Sequence, residues 1–364
     1  MKIIILTPSL YKNDGVGNDV MHEYELLSAK YDICIYAEYY NEDLLIDANI
    51  ELITLEKLKK YSKNSKNTII FHHSIYWELV EDILIESKAK IYFRYHNITP
   101  PEFFAKYNKL FVDATRKGLV QTKRIIKSAN IHKFISDSSF NNDDLIGYGA
   151  DPERCFTIAP FHKISDFDNE PFDISLLDEL IDGKINILFV GRFAPNKGHK
   201  HIVEVAYEYK TLYGSNIRFS MIGKIDQNLK QYYDEVMALV EQYDLHDIVS
   251  VEDNVSFRQL HTYYGCSHVF LLTSEHEGFC VPILEAQAHD LPIVALDRSA
   301  VASTLGENQV IFNEINHRKI ATSLNVISKN VRYREYLATN GRNNLKRFAL
   351  DNLENEFINL LELA

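Results

Sequence analysis

Three short stretches hold residues whose types and spacing suit chemistry on a charged, oxygen-rich ligand. SEHEGFCVPILEAQA (274–288) places Glu277 and Glu285 eight apart, the first before a helix and the second about a turn inside it. Pro282 lacks a backbone N–H and fits a first helical turn, so Gly278, Phe279, Cys280 and Val281 present the N–H groups that can hold an anion or a polyol oxygen. GRFAPNKG (191–198) follows a buried-type strand and carries Arg192 and Lys197 between Gly191 and Gly198. Arginine offers a two-pronged fork and lysine a point charge, and both suit phosphate. SLYKNDGVGNDV (9–20) sets Gly15 and Gly17 before a helix, where backbone N–H groups can meet an anion. A dinucleotide fingerprint needs a third glycine where Val20 stands, so NAD binding is not indicated.

The elements that must position these loops are strands alternating with helices. Strands are expected at Ile3–Thr7, Ile33–Ala37, Thr68–Phe71, Ile91–Tyr95, Lys133–Ile135 and Cys155–Ile158, with a long helix over Glu102–Ala129. The stretch from Ala159 to Lys184 is rich in acids and proline and breaks the pattern. It then restarts with strands at Ile185–Val190, Arg218–Ile222, Ile248–Val251, Val269–Leu272 and Ile293–Leu296. Such alternation implies an α/β protein with two doubly wound parallel-sheet domains, whose ligands bind at the carboxyl ends of the strands. The expected boundaries are 1–165, a linker over 166–184, and 185–346, with a last helix near 347–364 packing back on the first domain.

Composition narrows the function classes. With 46% hydrophobic and 25% charged residues the chain is neither disordered nor a disulfide scaffold. Its four cysteines have no metal or redox spacing and suit a reducing cytosol. No apolar run is long enough to span a membrane. A net charge of −12 argues against nucleic acid. Lys88–Lys133 nevertheless holds eleven Lys and Arg against Glu102 and Asp113, either a solvated helix face or a patch for peripheral contact with an anionic membrane. No metal is expected. Asp166-Phe167-Asp168 lies in the linker, and His199 and His201 point to different sides of a helix. His72 and His73 read as packed histidines bordering the ligand end of a strand.

GRFAPNKG resembles the phosphate loop of retaining glycosyltransferases of the GT-B fold, and EGFCVPILE their glutamate–seven–glutamate motif. NVSFRQLHTYYGCSHVFLLTSEHEGFCVPILEAQAHDLPIVA is similar to the C-terminal domain of the family-4 type (glycosyl transferases group 1). HHSI (72–75) and YHNITPPEFF (95–104) resemble segments of its N-terminal domain. The resemblance implies two Rossmann-like domains facing a crevice, the first binding acceptor and the second a nucleotide-sugar donor. It implies that Arg192 and Lys197 neutralise the leaving diphosphate, and that Glu285 bonds the ribose. Glu277, with the N–H groups of Gly278 to Cys280, would hold the transferred sugar. Gly17 would approach the diphosphate or sugar, and His96 would sit beside the sugar. The base would lie near Asp253, Asn254 and Val255, and Gly223 matches a family turn.

The implied reaction is hexose transfer to a saccharide or lipid-linked saccharide, with UDP-glucose as default donor and neither metal nor cofactor. Alternatives are an epimerase or phosphorylase on the same fold, or an inactive nucleotide-sugar binder. Five positions depart from the family pattern: Cys280 and Asp253 where glycine is usual or common, Asn196 where Glu is frequent, and Ala302-Ser303 where Pro-Glu is common.

Overall fold

The computed structural model describes residues 1–11, 14–42 and 50–363. The chain divides into two compact units. Unit 1 takes in residues 1–102 and 110–162 and the chain from Phe348 onward, and unit 2 takes in 103–109 and 163–347.

Unit 1 contains β1 (Ile3–Leu10), α1 (Gly15–Ser28), β2 (Ile33–Tyr40), α2 (Leu55–Ser62), β3 (Thr68–His73), α3 (Val80–Ile85), β4 (Lys90–Tyr95), α4 (Lys109–Ser128), β5 (Ile131–Ser136), α5 (Ser139–Gly147) and β6 (Cys155–Thr157). Its six parallel strands are ordered β2-β1-β3-β4-β5-β6. The central strands are apolar on both faces, as a sheet covered on two sides requires. Ile4, Leu6, Ile69, Phe71, Ile91, Phe93 and Phe134 are buried in one core. Strand order reverses between β1 and β3, which makes the loops there the ligand-binding position.

Unit 2 contains α6 (Ile174–Leu180), β7 (Ile185–Val190), α7 (His199–Tyr213), β8 (Ile217–Ile222), α8 (Lys230–Gln242), β9 (Val249–Glu252), α9 (Phe257–Cys266), β10 (Val269–Leu272), α10 (Val281–Ala288), β11 (Ile293–Leu296), α11 (Val301–Leu305), β12 (Val310–Phe312), α12 (His317–Lys329) and α13 (Val331–Leu345). Its parallel order is β12-β11-β10-β7-β8-β9, with the reversal between β7 and β10. The last helix, α14 (Leu350–Leu361), belongs to unit 1, where His22 Nε2 lies 2.8 Å from Glu354 and the Phe161 and Phe357 rings meet edge-on at 5.5 Å.

Three sequence expectations change. The long helix begins at Lys109, because Pro101–Phe104 forms a single 3-10 turn. Within unit 2, Lys106 and Tyr107 reach Glu235 at 2.6 and 3.1 Å, which draws residues 103–109 into that unit. The stretch 166–184, expected as a linker, packs on unit 2: Phe167 stacks on Phe257 at 4.4 Å and Leu180 is buried. Strand β12 had no sequence signal, being three residues long and half exposed at the sheet edge.

Candidate active site

In unit 2 the loops after β7 and β10 flank the point where strand order reverses. They are laced together by backbone bonds. The amide of Glu275 donates to the carbonyl of Asn196 at 2.8 Å, and Asn196 Nδ2 donates to the carbonyl of His276 at 3.1 Å. Thr273 Oγ1 donates to the carbonyl of Gly198 at 3.0 Å. Gly198 has φ +70°, and a Cβ there would lie 2.1 Å from the Thr273 carbonyl oxygen. Glycine is required for this approach. The lacing sets Lys197 Nζ 2.8 and 2.7 Å from the two oxygens of Glu277. Glu277 is nearly buried and Lys197 is 21% exposed along its side chain. Arg192 is exposed and pairs with no carboxylate among the described residues.

Cys280 is the N-cap of α10 and has φ +79° and ψ +72°. A left-handed residue with a side chain costs roughly 1–2 kcal/mol, which explains why glycine is the usual occupant. Burial pushes the Cys280 thiol well above its ordinary pKa, so it is an inert thiol. Glu285 accepts a hydrogen bond from Tyr264 Oη at 2.7 Å. Burial raises its carboxyl above the ordinary range, and the tyrosine bond opposes that rise.

Gly191 and Gly223 meet each other. A Cβ on Gly223 would lie 2.0 Å from the Gly191 carbonyl oxygen, so that glycine serves the crossing of two strand exits. Asp253 Oδ1 accepts from the amide of Ile225 at 3.1 Å, which ties the loop after β9 to the loop after β8. Asn254 takes a positive φ of 55°, and Val255 is half-buried beside it.

In unit 1 the glycines of the first loop have internal roles. Gly17 donates its amide to Asp14 Oδ2 at 3.1 Å, and a Cβ on it would lie 2.5 Å from the Tyr11 carbonyl oxygen. The expectation of a free anion-binding amide at Gly17 is therefore corrected: the helix cap already uses it. Gly15 has open space around it.

His96, at the exit of β4, has both ring nitrogens engaged. Nδ1 lies 2.9 Å from Asp137 Oδ2, and Nε2 lies 2.8 Å from His72 Nδ1. His72 Nε2 in turn lies 3.0 Å from Glu23 Oε2. Beside them Arg94 grips Asp19 through Nε at 2.9 Å and Nη2 at 3.1 Å, and the amide of Phe161 donates to Asp19 at 2.7 Å. Sequence reasoning missed this cluster. Its signal was present as charged residues in otherwise apolar elements: Arg94 within KIYFRY, and Asp19 and Glu23 four apart on one face of α1. His73 bonds Thr122 Oγ1 at 2.8 Å inside the core, as a packed histidine.

The basic stretch is partly spent internally. Arg94 is fully buried, Lys133 pairs with Glu362 at 2.6 Å and Arg124 approaches Glu81 at 3.7 Å. Among the described residues no helix is long and apolar enough to cross a membrane.

Residues 178–344 match the family model described as "Glycosyl transferases group 1". The match takes in 167 of the 364 residues, and this segment is similar to that family. A D-inositol 3-phosphate glycosyltransferase of Kineococcus radiotolerans is 26% identical over 184 residues, covering 49% of this chain and 42% of that one. The amylovoran biosynthesis glycosyltransferase AmsD of Erwinia amylovora is 21% identical over 311 residues, covering 81% of each. The structure of Anabaena Alr3699/HepE in complex with UDP and glucose has a TM-score of 0.79 at 13% identity over 99% of both chains. The fold is thus that of the GT-B glycosyltransferases, and the chain spans less than half of the first of these relatives.

Proposed function

We propose that this protein is a group 1 glycosyltransferase that moves a hexose from a nucleotide-diphosphate sugar to a saccharide or lipid-linked saccharide during glycoconjugate synthesis, with UDP-glucose as donor. The observation that carries the reading is the Lys197–Glu277 pair at the strand-order reversal of unit 2, with Arg192 exposed beside it. Breaking the bond from anomeric carbon to diphosphate builds negative charge on the leaving phosphate. Lys197, held by Glu277, and the exposed Arg192 are cations available to receive it, in place of a metal ion. Glu277 and the backbone of Gly278 to Cys280 hold the sugar, and Glu285, steadied by Tyr264, bonds the ribose. The loop 253–255 takes the base. Unit 1 binds the acceptor, with His96 beside the reacting sugar. The reaction proceeds with retention by same-face attack. Glu277 supports this, since both its oxygens are tied to Lys197 and it is a poor nucleophile.

A panel of UDP-, ADP- and GDP-sugars, followed by NMR of the product's anomeric configuration, tests the proposal. Donor turnover should fall by at least about 10²-fold in each of folded Arg192→Ala, Lys197→Ala and Glu285→Ala. Near-normal turnover in all three would sink it.

A further inference from the structure

We propose that His72 and Glu23 are positioning residues for His96, forming with it a buried chain along which one proton moves between Glu23 and the His96 ring. This rests on the reading that His96 stands beside the reacting sugar.

Glu23 Oε2, His72 Nε2, His72 Nδ1, His96 Nε2, His96 Nδ1 and Asp137 Oδ2 form three hydrogen bonds in series, of 3.0, 2.8 and 2.9 Å. Each bond needs one proton, so the chain holds three. With Asp137 accepting from His96 Nδ1–H, a neutral His96 offers a lone pair at Nε2. His72 must then donate from Nδ1, and its Nε2 must accept from a protonated Glu23 carboxyl. The same three protons support a second arrangement. The Glu23 O–H bond breaks as an N–H bond forms at His72 Nε2, while the His72 Nδ1–H bond breaks as one forms at His96 Nε2. Glu23 becomes a carboxylate, His96 an imidazolium and His72 stays neutral. No proton is exchanged with water.

The surroundings hold both forms within reach. Burial and the nearby Asp19 charge push the Glu23 carboxyl well above its ordinary pKa, which favours the protonated acid. Burial works against a charged His96, but the Asp137 carboxylate outweighs it and raises the ring's pKa. Burial and His96 hold His72 neutral. In the charge-separated form, Asp19 Oδ2 lies 3.8 Å from His96 Nε2, and Arg94 Nε lies 3.7 Å from Glu23 Oε1. Each new charge therefore has an opposite neighbour. The other charged group facing the chain is the Arg94 guanidinium against Asp137, at 3.6 Å. Buried His73 is bonded elsewhere.

Glu23 Oε1 and Asp137 Oδ1 are buried and accept no hydrogen bond, so each end of the chain has an unused acceptor. Asp19, His72 and His96 are also of metal-ligand type, but Arg94 already grips both oxygens of Asp19. The consequence for transfer is electrostatic. An anion arriving near His96 draws the proton to that ring and is met by a cation made inside the protein.

Histidine ring ¹⁵N NMR at one fixed pH, with and without UDP, tests the chain directly. Without UDP both rings should carry Nδ1–H, and with UDP the His72 proton should move to Nε2 as His96 becomes an imidazolium, the two rings shifting together. Glu23→Gln keeps a donor to His72 Nε2 but cannot ionise. It should retain both tautomers, lose the UDP-induced shift and lower kcat at unchanged donor KM. His72→Asn cuts the path to Glu23 and should leave the His96 ring unshifted by UDP. An Nε2–H tautomer on His72 while His96 is neutral, or a UDP-induced shift that survives Glu23→Gln, would overturn the proposal. Wild-type turnover in His96→Ala would instead overturn the placement of His96 in the reaction, whatever the ring signals show.

Discussion

The two units share one architecture and spend their charges in opposite ways. In unit 1 the polar residues at the strand exits are sealed: Asp19, Glu23, His72 and Arg94 are all fully buried and answer one another. In unit 2 the corresponding loops keep Arg192 exposed and Lys197 part-exposed. Buried ion clusters are costly to assemble and are damaged badly by losing one member, whereas exposed cations cost little and stay available to a ligand. Strand order does not make the difference, since each sheet reverses beside its own first strand, between β1 and β3 and between β7 and β10. The comparison teaches that the same fold can carry a sealed internal cluster in one half and open, part-exposed cations in the other.

The largest effect should come from unit 1. Arg94→Ala leaves Asp19 buried without its partner and should cost about 3–5 kcal/mol in urea unfolding. Arg192→Ala should leave the urea midpoint unchanged, and equal losses in the two variants would break the comparison. Next, Lys197→Ala should lower donor turnover about 10²–10³-fold, the usual consequence of removing one fixed stabiliser of developing charge.

A third effect treats the units alike. Burial lowers the pKa of His73 in unit 1 and of His199 in unit 2 to about 3. The unfolded chain binds these protons below pH ~6.5 while the folded protein does not. Stability is therefore fully present above that pH and falls as the solution is acidified towards 3, by about 1.4 kcal/mol per pH unit for each ring. Urea midpoints at pH 7 and 5 for His73→Gln and His199→Gln should each show a shallower loss than the parent. The smallest effect is Cys280→Gly, which relieves the left-handed strain and should raise stability by about 0.5–1 kcal/mol in thermal unfolding. A fall would mean that the buried thiol's packing outweighs the strain.

What the sequence made legible follows the same division. The loops of unit 2 were readable because their chemistry is local: Arg192 and Lys197 share one loop, and Glu277 and Glu285 lie eight apart across one helix start. That Lys197 and Glu277 touch was not readable, since 80 residues separate them and only strand order joins them. The cluster of unit 1 was illegible for the same reason. Its members come from α1, β3, β4 and the exit of β5, and each alone looks like an ordinary packed polar residue. Gly17 is expected to approach a diphosphate or sugar, yet at Gly17, Gly198 and Gly223 the close neighbour is the protein's own backbone. Strand β12 and the late start of α4 were missed because a short edge strand has little apolar pattern, and because Phe104 and Tyr107 happen to keep helical spacing with Phe111.

The central claim is that the loops of unit 2 hold a nucleoside diphosphate through Lys197. Calorimetric titration with UDP, comparing the parent protein with Lys197→Ala, tests it most directly. The account predicts saturable binding to the parent and a Kd at least about tenfold weaker in the variant, the ~1.4 kcal/mol expected at minimum for losing a charge-assisted phosphate contact. UDP bound equally well by both proteins, or by neither, would contradict it.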